Sequence, residues 1–403
     1  MVTAQYNPFA PGVHADPYPM YRQLREEDPV HWSELMDSWV LTRYDDMVAV
    51  LTDGARFSAD RRSARNRFTQ MAEQVEQEFG PFGRTPTMLT SDPPLHTRLR
   101  RLVSKAFTPR AVENLRPRIQ DIVDHILAGV REGGGMDIIW DLAYPLPVIV
   151  IAEMLGVAPE DRDKFKRWSD DVVATLGGPF IAPDVMQRAQ ASVTELSDYF
   201  KGIIGQRRQE PRDDLISGLI AAEEQGQVLS EDEILATCIL LLVAGNETTT
   251  NLIGGSVLTL LQHPQQLEQL RRDPALIQTA VEELLRFAGP VHATGRVVKE
   301  DMEIGGQAIK EGQVAFCVLA AGNRDPAQFA DPETVDIGRQ PNEHLAFGDG
   351  IHFCLGAPLA RAEAQIAIGS LVERFPKLRI ATAELEWGGT FIIRGLKKLP
   401  VGV

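Results

Sequence analysis

Hydrophobic positions recur along most of this chain at the three-to-four-residue interval of amphipathic helices, and only briefly at the alternation of strands. Val112, Leu115, Ile119, Ile122 and Ile126 keep the helical interval after Thr108-Pro109, a pair that supplies a capping hydroxyl and a first-turn proline. Asp16-Pro17 opens an earlier helix through Arg25. Ser230-Glu-Asp-Glu233 reads as a capping box, and no proline follows before Pro264. The pattern therefore predicts a helix of roughly 32 residues, about 48 Å long. Its first half, Ile234 to Gly245, is almost uninterruptedly apolar, so this helix must cross the middle of the molecule. Asp273-Pro274 starts another helix that Gly289-Pro290 ends, and the Ala-rich stretch Ala357 to Leu371 predicts one more. Strand signals are short: Ser38–Thr42, Gln313–Val318, Thr390–Arg394 and the turn-rich Met302–Ile309. Gly133-Gly-Gly135 reads as a turn between helical segments. The expected class is mainly α with minor β.

Composition narrows the function. The 403 residues carry a formal net charge of −15, which argues against a nucleic-acid partner. With 44% hydrophobic and 24% charged residues the chain is globular, not disordered. Cys238, Cys317 and Cys354 form neither a disulfide framework nor a CxxC pair. Residues 1–10 lack the basic-then-apolar pattern of a secretory signal. The longest apolar run, about 12 residues, is shorter than the roughly 20 a membrane span needs. A cytoplasmic protein with no membrane partner is expected. Length alone suggests two or three domains. A central helix shared by both halves argues instead for one domain over 1–403.

The densest chemistry lies at Phe347-Gly-Asp-Gly-Ile-His-Phe-Cys-Leu-Gly356. Glycines at 348, 350 and 356 permit turns and close approach to a flat ligand. Cys354 precedes the Ala-rich helix, where the helix N-terminus and loop N–H groups would stabilise a thiolate. An isolated cysteine of this kind is more often a buried structural thiol, and the surrounding pattern decides. The stretch resembles the haem-binding loop of the cytochrome P450 family, F-x-x-G-x-H/R-x-C-x-G, with Phe347, Gly350, His352, Cys354 and Gly356 at the fixed positions. The resemblance implies haem b, with Cys354 as axial thiolate ligand of the iron, Phe347 near the sulfur and His352 on a propionate. Thiolate ligation pushes electron density onto iron and favours O–O cleavage.

Other segments agree. Ala244-Gly245-Asn246-Glu247-Thr248-Thr249 sets polar side chains in an apolar helix, where a Thr hydroxyl can bond back to the carbonyl four residues earlier. It is similar to the family's oxygen-activating motif, A-G-x-D/E-T. That likeness implies Thr248 as hydrogen-bond partner of dioxygen, Glu247 as proton source and Ala244 with Gly245 as the small residues that leave room. Glu283-Leu-Leu-Arg286 is a one-face ion pair, weak evidence by itself, and matches the family's structural E-x-x-R. The segment Asp92–Arg100, with His96 and Arg100 four apart, resembles the family's propionate clamp, and Arg296 looks like a further propionate contact. Buried carboxylates need such charged donors. Asn323-Arg-Asp-Pro326 and Phe329-Ala-Asp-Pro332 also match, so the likeness spans essentially the whole chain and implies a helical prism around a buried haem.

Gly80 to Pro94 reads as a long functional loop. By resemblance, the substrate pocket draws on Met88, Leu89, Leu240, Val243, Ala244, Thr248, Val291, His292, Phe391 and Ile392, which are mostly apolar and suit a small hydrophobic molecule. Arg61, Arg62, Arg65 and Arg67 could draw an anionic substrate, though a solvated helix end is the simpler reading. The chain has no flavin fingerprint or iron–sulfur cysteine set, so electrons from NAD(P)H must arrive indirectly. Residues 98–118 hold seven basic side chains against Glu113, a local +6 that suits docking of an acidic ferredoxin or flavodoxin served by its reductase. The expected activity is monooxygenation. A peroxide-driven peroxygenase is the first alternative, and Glu247 and Thr248 speak against it. A non-catalytic haem protein that binds a small ligand is the second.

Overall fold

A computed structural model describes residues 6–68, 79, 83–105, 107–131, 133–176, 182–224 and 226–403. Its helices, in chain order, are α1 (Tyr18–Glu27), α2 (Tyr44–Thr52), α3 (Leu95–Ser104), α4 (Pro109–Ala128), α5 (Pro145–Met154), α6 (Arg162–Val173), α7 (Pro183–Gln209), α8 (Leu215–Ala221), α9 (Glu231–Gln262), α10 (Pro264–Arg272), α11 (Ile277–Ala288), the single turn α12 (Leu319–Gly322) and α13 (Ala357–Arg374). The mainly helical expectation holds.

The predicted long helix is α9, with 32 residues. Ser230 Oγ accepts the Glu233 N–H at 3.2 Å and the Glu233 carboxylate accepts the Ser230 N–H at 2.8 Å, so both halves of the capping box form. It packs on α5, α6, α7, α11 and α13. This explains why its apolar residues run round the whole helix instead of along one stripe. Thr108 accepts the Ala111 N–H at 3.1 Å and starts α4. Asp273-Pro274 opens one 3₁₀ turn before α11 begins at Ile277.

The β portion is dispersed. A five-stranded sheet runs in the order β1 (Val30–Ser33), β2 (Ser38–Leu41), β10 (Val314–Cys317), β7 (Thr294–Val298), β3 (Phe57–Ser58). Strands β2 and β10 are parallel, and β10 pairs antiparallel with β7, setting Arg296 opposite Ala315. Between them in sequence lie β4 (Gly135–Asp137), the β5–β6 hairpin (Glu223–Glu224, Gln227–Val228) and the β8–β9 hairpin (Met302–Ile304, Gln307–Ile309). The last four are β11 (Arg379–Ile380), β12 (Trp387–Gly389), β13 (Arg394–Leu396) and β14 (Pro400–Gly402).

Two local expectations need correction. Thr390–Arg394 is not a strand through its length. Thr390 Oγ1 accepts the N–H groups of Ile392 and Ile393 at 3.2 and 3.1 Å, which closes a turn between β12 and β13. The apolar pair Phe391-Ile392 that suggested a strand is that turn, packed on the core. Gly133-Gly-Gly135 turns only at its start; Gly135 begins β4, which pairs with β14.

Candidate active site

Cys354 lies at the foot of α13. Its N–H donates to the Phe347 carbonyl at 3.0 Å and closes the loop 347–354. Gly350 is needed there: its φ is +68°, and a Cβ would collide with the Leu51 carbonyl. Cys354 keeps exposed surface as a residue, although its thiol is crowded by protein and Leu345, Ala346 and Ala357 nearby in the chain are buried. Burial by protein pushes its pKa up, against the Gly356 and Ala357 N–H groups and the charges of Arg100 and Arg361, which favour the thiolate. Among the described residues no cluster of three or more His, Cys, Asp or Glu could hold a metal ion.

The four predicted propionate donors converge. The rings of His96, on α3, and His352 lie 4.4 Å apart between centroids. Arg100, one turn after His96, donates to the Phe353 carbonyl at 2.6 Å. Arg296, on β7, is buried and, among the described residues, its side chain donates to the carbonyl of the preceding Gly295, at 2.9 Å, and to the Thr294 hydroxyl. None of the four has a carboxylate partner among these bonds. Among the described residues neither buried ring nitrogen of His96 has a well-formed hydrogen bond, the Ile351 backbone being its nearest polar influence. Burial lowers the pKa of all four, and mutual repulsion adds to it in the histidines, leaving His352 at about 4. In this partly buried cluster the charge of Asp92 offsets only part of the basic charge, and the orphaned His96 nitrogens fit an anionic group. The residues present therefore fit haem: a thiolate for iron and cationic donors for two propionates.

In α9 the residues on either side of the motif are buried, yet Ala244 is exposed and Leu240, Gly245, Glu247 and Thr248 are half-buried. Residues 240, 244, 247 and 248 share one helix face, so the middle of this packed helix borders open space. The Thr248 hydroxyl donates to the Ala244 carbonyl at 2.7 Å, the back-bond expected of a Thr in this setting. Glu247 accepts from Asn251 Nδ2 at 3.0 Å, and burial raises its pKa against that bond. Asn251 was missed from sequence, although four-residue spacing from Glu247 was the available signal. It is wedged in place: a Cβ at Gly395 would collide with its carboxamide.

Glu283 and Arg286 are fully buried and bidentate, at 2.7 Å for both bonds. Arg286 also donates to the carbonyls of Asn323, Pro332 and Thr334, while Glu283 accepts from Arg339, Asn342 and the Asp336 N–H. This network fixes the segment that leads into the Cys354 loop.

The substrate candidates scatter more. Met88, Leu240, Val291 and Ile392 are half-buried, Val243 and Phe391 are buried, and Leu89 is 57% exposed. Val291 bridges Ile393, and the His292 N–H donates to the Ile392 carbonyl at 2.7 Å, so these segments are neighbours. The His292 ring is sealed against Tyr18 and Tyr21, with Nδ1 3.2 Å from the Tyr21 hydroxyl. Burial, then Arg394, Arg324 and His14, push its pKa well below the usual value. Residues 80–82 of the Gly80–Pro94 loop lie outside the described residues.

Several charges of the basic region are paired within the chain. Arg98 pairs with Glu233, Arg116 with Glu113 and Arg118 with Glu153, while Arg100 reaches the Cys354 loop. Arg101, Lys105 and Thr108 line a surface hollow that Arg100 and Ser104 complete. In the 61–67 cluster Arg62 pairs with Asp60 and Arg65 with Glu311, and the Arg67 side chain donates to the Glu34 and Leu35 carbonyls. No helix among the described residues is long and apolar enough to cross a membrane.

Residues 32–379 match the cytochrome P450 family. A cytochrome P450 of Priestia megaterium, CYP107DY1, is 44% identical over 397 residues, 94% of each chain. The solved structure of the Bacillus subtilis bacillaene polyketide synthase cytochrome P450, PksS, superposes with a TM-score of 0.91 at 40% identity, covering 99% of both chains. The structure of P450BioI in complex with an acyl carrier protein bearing hexadec-9Z-enoic acid gives 0.87 at 39% identity, covering 97% of this chain and 99% of that one. Identity at this level over nearly the whole length settles what the loop and the helix notch suggested: the chain belongs to the cytochrome P450 family and is a haem b monooxygenase whose electrons come from NAD(P)H through partner proteins.

Proposed function

We propose that the chain inserts one oxygen atom of dioxygen into a small hydrophobic organic substrate, by hydroxylation or epoxidation, with Cys354 as the ligand of the haem iron. The observation that carries this reading is an exposed cysteine whose thiolate the Gly356 and Ala357 N–H groups favour, beside four basic side chains that make no carboxylate hydrogen bond among the described residues and whose charge Asp92 offsets only in part. When bound, haem supplies the redox chemistry that activates dioxygen. His96, Arg100, Arg296 and His352 bind the propionates, and Phe347 and Gly356 shape the loop at the sulfur. Ala244 leaves space over the group. Thr248 spends its proton on the Ala244 carbonyl and keeps its oxygen lone pairs free to accept a hydrogen bond. Glu247 keeps its proton to higher pH than a solvated glutamate does, so it is suited to donate one.

Met88, Leu240, Val243, Val291, Phe391 and Ile392 supply the apolar pocket wall. Leu89 and the sealed His292 ring suit that role less well, and the neutral imidazole offers no charge to a carboxylate. Electrons enter from a ferredoxin or flavodoxin at the hollow of Arg101 and Lys105, a smaller basic surface than the charge count of 98–118 suggests. Residues 1–403 act as one domain, a reading supported by a hydrophobic cluster that joins Phe79 to Val403 through α9.

The test is the visible spectrum of the dithionite-reduced protein under carbon monoxide. A strongly red-shifted Soret band, lost in Cys354→Ser, is expected. An imidazole-type carbonyl spectrum in the unmutated protein overturns the assignment of the ligand.

A further inference from the structure

Adjacent glutamates on α11 hold different partners. Glu283 serves the Arg286 network, and Glu282, about 100° round the helix, faces the Cys354 loop. The Arg361 Nε and Nη2 groups donate to Glu282 Oε1 and Oε2 at 2.7 and 2.8 Å, a fork-on-carboxylate pair. His344 Nε2 lies 3.1 Å from Glu282 Oε2, and its Nδ1 accepts the Ala346 N–H at 3.2 Å. Held this way, the Arg361 guanidinium carbon stands 4.6 Å from the centroid of the Phe347 ring. Phe347 is the residue whose carbonyl receives the Cys354 N–H. Sequence gave no hint of this arrangement, since its members are far apart in the chain.

We propose that Arg361 is a positioning residue, clamped by Glu282 as a fixed positive charge behind Phe347, and that this pair sets the reduction potential of the haem held by Cys354. The inference rests on the reading of Cys354 as iron ligand. Reduction adds one electron from the redox partner, with no bond made or broken, and raises the negative charge at the thiolate-bound centre by one. A nearby cation therefore stabilises the reduced form more than the oxidised form, and a nearby anion does the opposite. Arg361 and Glu282 carry opposite charges, so the two act with opposite sign, and the Arg361 guanidinium is the one that lies against the Phe347 ring.

Opposite sign makes the test decisive, because general loosening of the fold would move both variants the same way. In spectroelectrochemical titration of the haem-loaded protein, Glu282→Gln leaves the cation unneutralised. It should raise the reduced-to-oxidised ratio at a fixed potential by about threefold or more, equivalent to about 30 mV for one electron. Arg361→Gln should lower that ratio by a similar factor, and the double variant should return towards the parent value. Shifts in the same direction, or none beyond about 10 mV, overturn the proposal. Should Arg361→Gln take up no haem, Glu282→Gln decides alone, and an unchanged or lowered potential counts against the proposal. The carbonyl spectrum separates the two levels of argument. An unmutated protein without the red-shifted band defeats the Cys354 reading, whereas a normal band with unmoved potentials defeats only the role of Arg361.

Discussion

Substituting Glu283 by Gln tests how the Cys354 loop is held. The Glu283 carboxylate is fully buried and faces two guanidiniums, Arg286 with no exposed side chain and Arg339 at 11%. Glutamine keeps the shape but removes the charge. It also turns one acceptor oxygen into a donor that points at groups which are themselves donors. Arg286 keeps its bonds to the Asn323, Pro332 and Thr334 carbonyls and loses its counter-charge. Removing one partner of a buried pair costs about 3–5 kcal/mol. With an unfolding entropy of about 2.1 cal/mol/K per residue, a chain of this length loses about 1 °C of Tm for each kcal/mol, so the expected fall is about 4–6 °C. The same substitution one residue earlier, Glu282→Gln, affects a carboxylate that is 28% exposed and should cost about 1 kcal/mol. Thermal unfolding followed by far-ultraviolet circular dichroism and by the Soret band would compare the two. Equal losses from the two variants, or a Glu283→Gln midpoint within 1 °C of the parent, would refute the view that burial of this pair holds the loop.

Three other outcomes follow from groups already described. Glu363 is buried with Oε2 unpartnered, and burial pushes its pKa from 4.5 to about 8. An acid raised in the folded state contributes stability that is fully present below pH 4.5 and lost as pH rises to about 8. Glu363→Gln should therefore gain on the parent by about 1.4 kcal/mol per pH unit across that window, and urea midpoints at pH 5 and 8 would check it. Asn251→Leu removes the bond that holds the Glu247 pKa down, so the alkaline limb of the turnover profile should move to higher pH, and a shift to lower pH would contradict a proton-donor role. Charge reversal at Arg101 and Lys105 should slow electron transfer from an acidic partner and flatten its salt dependence; stopped-flow reduction at two ionic strengths measures both.

The parts of the fold legible in the sequence were those that local chemistry specifies. The capping box at Ser230 and the stop at Pro264 delimit α9 because helix ends are set by a few neighbouring residues. The Thr248 back-bond was likewise readable, since donor and acceptor are one turn apart. Thr390–Arg394 misled because its apolar residues look the same whether they pack from a strand or from a turn. The charge count of 98–118 left the pairing of those charges unread for another reason. Ion pairs such as Arg98 with Glu233 join residues distant in sequence, so a local sum cannot tell a surface charge from a spent one. The Glu282–Arg361–His344 clamp and the sealing of His292 by Tyr21 are illegible for the same reason.

The close contact of Gly395 with Asn251 limits how this molecule can be altered. Position 395 accepts no side chain unless Asn251 moves, and Asn251 carries the donor that steadies Glu247. The turn between β12 and β13 contains two of the proposed pocket residues, Phe391 and Ile392, and its strands end within a few residues of this contact. A library that varies 391 and 392 would reshape the proposed pocket and leave the proposed proton supply through Glu247 intact. One that extends to 395 changes both at once, and a lost activity there would be misread as a lost substrate.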